Sequence, residues 1–279
     1  MIKSILVTLD DSESSVSAKK FGVLLAKTHN ASVTGIGILD QPWIAAPEAI
    51  PLGGAAFKVE LDEKLLHDAK KRIHKIEKDF TAYCQEQKVT SSIIDATGVP
   101  AYEIEFFATA HDLLIIGKDA NFHFTNVEET GIAVKQLIRA NPRPVIVTGP
   151  EIPNEKSNDV IVAFDGTFAS SRALHMAILV GILKGKTVHI AHVNSEEKAA
   201  KEIIDIAIKL CANHGIKAVG HPLITSEKPA AAILKLKEEI KPFLIVLGAF
   251  GHAGITYLFM GSCAKELIKT TSVPLFLYH

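Results

Sequence analysis

The stretch Ile5-Leu6-Val7-Thr8-Leu9-Asp10 returns later in the chain as Ile161-Val162-Ala163-Phe164-Asp165. Counting forward from the two aspartates, Ser15 meets Ser170, Ala18 meets Ala173 and Val33 meets Val188 without a gap. The likeness resumes near the end of each half. Leu113-Leu114-Ile115-Ile116-Gly117 matches Leu244-Ile245-Val246-Leu247-Gly248, and Lys135-Gln136-Leu137-Ile138-Arg139 matches Lys265-Glu266-Leu267-Ile268-Lys269. Pro144-Val145-Ile146-Val147 matches Pro274-Leu275-Phe276-Leu277. Self-similarity on this scale fixes the architecture before any motif is weighed: one unit is written twice. The join is Gly149-Pro150-Glu151-Ile152-Pro153-Asn154-Glu155-Lys156, rich in residues that end elements. Domains are therefore expected at 1–150 and 151–279, the first carrying extra length between about residues 40 and 80.

Within each copy, short aliphatic runs alternate with amphipathic stretches. Strands are predicted near 4–9, 32–39, 90–95, 112–117 and 144–148, with helices near 14–29, 58–87, 101–109 and 131–140. The second copy repeats the order, with strands near 159–164, 187–193, 217–223, 243–248 and 273–277. Its helices fall near 168–183, 196–214, 228–240 and 261–270. Near-continuous apolar strands separated by helices are the pattern of parallel sheets covered on both faces. The expected fold class is α/β, with two tandem doubly wound five-stranded parallel-sheet domains. Ligands of such sheets sit beyond the carboxyl ends of the strands, where the strand order reverses. The residues to watch follow strands 1, 2 and 4 of each copy.

Composition narrows the function classes. The 279 residues are 48% hydrophobic, enough for two cores. Thirty Lys+Arg against 31 Asp+Glu give a net charge of -1, which argues against nucleic acid as the main partner. No run approaches the roughly 20 apolar residues of a membrane span. The first residues run straight into a strand-like segment with no signal-peptide pattern. Cys84, Cys211 and Cys263 have no metal or redox spacing and read as reduced thiols of a cytoplasmic protein.

The richest segment follows strand 4 of the second copy: Gly248-Ala249-Phe250-Gly251-His252-Ala253-Gly254-Ile255-Thr256-Tyr257-Leu258-Phe259-Met260-Gly261-Ser262-Cys263. Gly248 and Gly251 would allow a sharp turn and a close approach to a ligand. Ser262 can cap the helix that follows, whose first N–H groups make an anion site. A phosphate chain held between glycine turn and helix start is one reading; a strand end followed by an ordinary capped helix is the other. Asp165 could accept a hydrogen bond from a ribose hydroxyl or serve as N-cap of the next helix. His252 stands in the loop and could meet a phosphate or solvent.

With these residues in view, the whole chain resembles the universal stress protein family in its tandem form. Nucleotide-binding members carry Gly-x2-Gly-x9-Gly followed by Ser or Thr, matched here by Gly248, Gly251, Gly261 and Ser262. The resemblance extends to Asp165 at the end of strand 1 and Val193 at the end of strand 2. It implies a Rossmann-like, adenine nucleotide alpha hydrolase-like fold with the two copies related by a pseudo-two-fold. It also implies an ATP site in the second copy. There Asp165 lies by the adenosine, Val193 contacts adenine, and the glycines and Ser262 bind phosphates and ribose, with Leu247 and Cys263 flanking them. Magnesium or manganese would enter with the triphosphate. The first copy departs from the pattern. Ala120 stands where the second glycine belongs, Gly131 is followed by Ile132, and Asp119, Glu128 and Glu129 add carboxylates where phosphate oxygens would lie. Only the second copy is expected to bind ATP strongly.

Other signals are weaker. Twelve histidines show no His-Glu-x-x-His or Cys/His cluster, and His189 and His192 fall on opposite strand faces. No Walker lysine, Gly-x-Ser-x-Gly elbow or Ser-His-Asp set is present, so slow ATP hydrolysis is the most catalysis expected. The paired Asp10-Asp11 suggests a phosphoacceptor receiver, but Gly117 and Gly149 occupy or follow the strand ends where such a domain needs Ser/Thr and Lys. Helix 58–87 reads as amphipathic with a charged outer face, and the Pro/Gly-rich loop 41–57 as a flap or a surface for a second chain. The final strands, 144–148 and 273–277, could pair with each other or with another copy. The reading is an ATP-dependent regulator or sensor, an adenine nucleotide its ligand and a protein its partner, with no nucleic acid or membrane; the alternative is a slow ATP hydrolase or nucleotidyl-transferring enzyme on the same fold.

Overall fold

The aliphatic run of β1 (Ser4–Leu9) is buried on both faces, as are those of β2 (Ser32–Leu39) and β4 (Leu113–Gly117). Such strands cannot face water, so helices must cover both sides. In the computed structural model, which describes residues 1–49, 51, 53–122, 132–151, 154–250 and 260–279, they do. The first half continues with β3 (Ser91–Thr97) and β5 (Val145–Thr148). Its helices are α1 (Glu13–His29), α2 (Gln41–Ile44), α3 (Ala55–Glu86), α4 (Pro100–Ala108) and α5 (Ile132–Ala140). The second half holds β6 (Asp159–Ala163), β7 (Thr187–Asn194), β8 (Lys217–Ile224), β9 (Leu244–Gly248) and β10 (Leu275–Tyr278). Its helices are α6 (Phe168–Leu179), α7 (Glu197–Asn213), α8 (Pro229–Ile240) and α9 (Ser262–Thr270).

The strands form one ten-stranded sheet in the order β3-β2-β1-β4-β5-β10-β9-β6-β7-β8. Neighbours are parallel except at the centre, where β5 and β10 run antiparallel. Across that seam Phe276 pairs with Ile146, Leu275 with Val147 and Leu277 with Val145. Equivalent residues thus exchange places about the Ile146–Phe276 pair, which is where the pseudo-two-fold passes. Each terminal strand has a neighbour on both sides, so neither offers a free edge to another copy. The outer edges are β3 and β8, whose residues are only partly buried.

Two cores sandwich the sheet. One lies on the α1, α3, α6 and α7 face and joins both halves, with Phe21 and Phe243 rings 5.0 Å apart. The other lies under α4, α5, α8 and α9. The amino terminus is clasped into the second half, where Ile2 N–H donates to Val180 O at 3.0 Å. Ser12 and Thr167 cap α1 and α6 by accepting from Ser15 and Ser170 N–H. One element was not expected. Within the loop 41–57, Asp40 caps the single turn α2 by accepting from Trp43 N–H at 3.1 Å.

Candidate functional site

The strand order reverses between β1 and β4 in the first half and between β6 and β9 in the second. At the second reversal an open cavity of about 230 Å³ lies beyond the strand ends. That is just below the roughly 300–1,000 Å³ of most small-molecule sites. Asp165, Val193, Leu247, Gly248, Gly261, Ser262 and Cys263 all line it, although they come from four separate segments. Gly251 and His252 lie outside the described residues. Ala163, Ala191, Ile233 and Phe250 give the cavity an apolar wall.

Each polar group has a local reason for its position. Asp165 Oδ1 accepts from Thr167 N–H at 3.0 Å and from Thr167 Oγ1–H at 2.6 Å. Thr167 is the N-cap of α6, so Asp165 is not the cap but the group that holds it. Its carboxylate is solvent-exposed at the cavity rim. Ser262 is likewise not a cap. It is the first residue of α9, Gly261 is the N-cap, and that cap makes no side-chain hydrogen bond. The hydroxyl of Ser262 therefore has no capping duty, and no side chain of the cap competes for the first-turn N–H groups. The Cys263 thiol beside it is pushed up to about 11 by burial, and the Asp165 charge adds to the effect. It is a protonated wall group rather than a nucleophile.

Gly248 has a packing reason that spacing could not reveal. A Cβ there would sit 2.7 Å from the Ala169 carbonyl carbon and 2.8 Å from Ser170 N. The first turn of α6 lies directly against the end of β9. Gly117 repeats this in the first half, where a Cβ would meet Ser14 Oγ at 2.5 Å and Ser15 N at 2.8 Å. Both glycines serve helix–strand approach whatever the cavity holds. Beyond Gly248 the chain is pinned: Ala249 N–H donates to Tyr278 O at 3.0 Å, and Phe250 bridges Met260. Gly261 N–H then donates to Ala249 O at 3.1 Å, so the two stems of the glycine loop are joined at its neck.

Sequence reasoning passed over His192 as a site residue. It lines the cavity, 9% exposed, with its Nδ1–H donating to Phe164 O at 2.8 Å. Its position beside Val193 at the end of β7 was the available signal. His189 does point away from that cavity, into a chain of its own: Asp159 Oδ1 lies 2.9 Å from His189 Nε2, and His189 Nδ1 lies 2.8 Å from His221 Nε2. No cluster of three or more metal-ligating side chains occurs among the described residues.

The first half differs in the state of its carboxylate. Asp10 is 3% exposed, and burial pushes it up to about 6. Its Oδ1 accepts from Ser12 N–H at 2.7 Å, and the Asn121 N–H also draws the carboxyl down, against the larger effect of burial. Ala120 and Phe122 are buried in the adjoining core. Asp119 N–H donates to Ser14 Oγ at 3.1 Å. Glu128, Glu129 and Gly131 lie outside the described residues.

A doubly wound sheet written twice, joined through its last strands and carrying a cavity at its second reversal, defines the class. A profile of the universal stress protein family matches residues 1–126 and 195–279, and the chain belongs to that family. A universal stress protein of Synechocystis sp. is 23% identical over 286 residues, covering 98% of both chains. Among solved structures, a universal stress protein of Archaeoglobus fulgidus superposes with a TM-score of 0.72 at 19% identity, covering 99% of this chain and 95% of its own. A universal-stress-type protein of Pseudomonas aeruginosa reaches 0.58 at 15% identity, covering 99% and 93%. No helix among the described residues is long and apolar enough to cross a membrane.

Proposed function

We propose that this universal stress protein binds one ATP per chain, in the cavity of the second half, and acts as a nucleotide-dependent regulator in the stress response. The observation that carries the reading is the convergence of Asp165, Val193, Gly248, Gly261 and Ser262 on one cavity with an apolar wall. The wall suits a purine base and the Asp165 carboxylate a ribose hydroxyl. The start of α9, with an uncompeted first turn, suits phosphate oxygens. Magnesium or manganese would accompany the triphosphate, with Asp165 the carboxylate at hand in the cavity.

The functional units are residues 1–150 and 151–279, and the first is the degenerate one: where the second has exposed Asp165, it has the buried Asp10 carboxylate, which repels phosphate when ionised. Occupancy of the second cavity would change the surface around the neck formed by Phe250 and Met260, which a protein partner in the cytoplasm reads. Hydrolysis is at most slow on this reading, since the sequence has no Walker lysine or nucleophile elbow.

Calorimetric titration of the full chain with ATP, with mass spectrometry of any co-purified nucleotide, tests this. One ATP per chain, with affinity falling about tenfold in Ser262→Ala, is expected. Two equivalent sites, or no binding, would overturn it.

A further inference from the structure

The duplicated fold contains its own control. Counting on from the matched Val33 and Val188, Gly37 of β2 stands where β7 has His192. In the second half that position carries an imidazole tied to Phe164 O. In the first half the space is taken from the helix above: a Cβ on Gly37 would lie 2.6 Å from Glu77 Oε1 and 2.7 Å from Ile73 Cγ2 of α3. Glu77 is 6% exposed, and among the described residues its Oε1 has no hydrogen-bond partner. Helix α7, the counterpart of α3, buries Ala200, Ile204, Ala207 and Cys211 but no carboxylate.

Few charges surround this group. β2, β3, α2 and β1 pack against α3. β1, β2 and α2 contain no titratable residue, and β3 contributes Asp95, which pairs with Gly37 in register. α3 itself contributes His74, an exposed side chain with Nδ1 3.6 Å from Glu77 Oε2. A buried carboxyl with one orphaned oxygen and a second carboxylate nearby favours its neutral form. Burial first, and then the Asp95 charge, hold Glu77 above its ordinary 4.5, while His74 opposes both.

Glu77 also stands at the boundary between two cores. On its amino-terminal side Ala69 and Ile73 join Leu39 in a small satellite cluster, with Ile44 of α2 and Leu66 packed against it. On its carboxy-terminal side Phe80 and Cys84 belong to the large core shared by both halves. A satellite of so few side chains lies at the low-stability end of a fold. A cost imposed at Glu77 therefore falls on the satellite before it falls on the large core.

We propose that Glu77 is a pH-operated latch: its neutral form holds α2 and the amino-terminal part of α3 on β2 and β3, and its ionisation frees them while Phe80 and Cys84 stay anchored. Opening returns Glu77 to water, where it ionises at its ordinary value. Between that value and the raised one, each opening releases a proton, so the opening constant climbs about tenfold per pH unit. It levels off once Glu77 is ionised in the closed form as well.

Hydrogen exchange of the full chain between about pH 5 and pH 8, expressed relative to the intrinsic rate of each amide, tests the latch. Amides of residues 66–77 should lose protection about tenfold per pH unit at the acid end and then level off. Those of residues 80–86 and of α7 should stay flat. Glu77→Gln should abolish the rise, and His74→Ala should carry it to higher pH, because the opposing charge is gone. Protection of 66–77 that is flat with pH, a rise that persists in Glu77→Gln, or one that His74→Ala abolishes would each overturn the proposal.

Discussion

Asp10 and Asp165 stand at equivalent ends of β1 and β6, and each accepts a hydrogen bond from the N–H two residues on, at 2.7 and 3.0 Å. One is 3% exposed; the other is exposed at the rim of a cavity. The same local turn, repeated by duplication, therefore holds a carboxylate in two different electrostatic states.

The buried member costs stability when ionised. Its value in the folded chain is about 6 against an ordinary 3.8, so the fold favours the protonated form. That stabilisation is complete below about pH 4 and lost as pH rises through about 6. Asp10→Asn keeps the Oδ1 acceptor and removes the charge. It is expected to raise unfolding free energy by up to about 3 kcal/mol at alkaline pH and by little at about pH 4, read from urea denaturation at both.

Gly117 and Gly248 separate packing from binding. Gly248→Ala and Gly117→Ala should each lower stability by about 1–3 kcal/mol, because the new methyl group meets helix backbone that must shift. Only Gly248→Ala should also weaken ATP binding. Thermal melts with and without ATP measure both effects, and equal loss of binding from the two would contradict the asymmetry between halves.

Asp159, His189 and His221 link β6, β7 and β8 at the outer part of the sheet. With His189 Nε2–H donating to Asp159, His189 Nδ1 accepts from His221 Nε2–H. His221 is held below its ordinary range by burial and then by the charge on His189, with Glu239 opposing. Its contribution is thus present at neutral pH and lost as pH falls through the depressed value. Hydrogen exchange of β8 amides should accelerate between about pH 7 and pH 5 beyond the intrinsic trend, and His221→Gln should remove that step.

The seam between the halves should be costly to disturb. Phe276 is fully buried opposite Ile146, in a core that contains residues of both halves. Phe276→Ala should cost about 3–5 kcal/mol and lower a single unfolding transition rather than split it. Differential scanning calorimetry distinguishes the two outcomes.

The central strands were legible because strands buried on both faces must be apolar throughout, and the repeat with the helix–strand alternation placed the edge strands β3 and β8. Helix ends were legible to within a few residues, except for α2, where the Asp40 cap was hidden in a Pro/Gly-rich segment. The site was legible as a set of residues but not as a set of roles. Ser262 and Asp165 were each given a capping reading that belongs to a residue one or two positions away, since an offset that small decides which residue takes the cap. His192 escaped notice because a strand end presents two successive residues to a crevice, against the alternation that holds within the strand.

By itself the sequence determined that the chain is a duplicated α/β unit with glycine and hydroxyl residues gathered after the fourth strand of its second copy. Local patterns suffice for that, since periodicity and repetition depend on neighbouring residues alone. Tertiary structure decided what depends on distant segments meeting: the antiparallel seam at Ile146 and Phe276, and the approach of α6 that requires Gly248. It also decided the burial of Asp10 beside the exposure of Asp165. Identical turns give different carboxylates because solvation is set by what packs above them, and that is chosen by the fold as a whole.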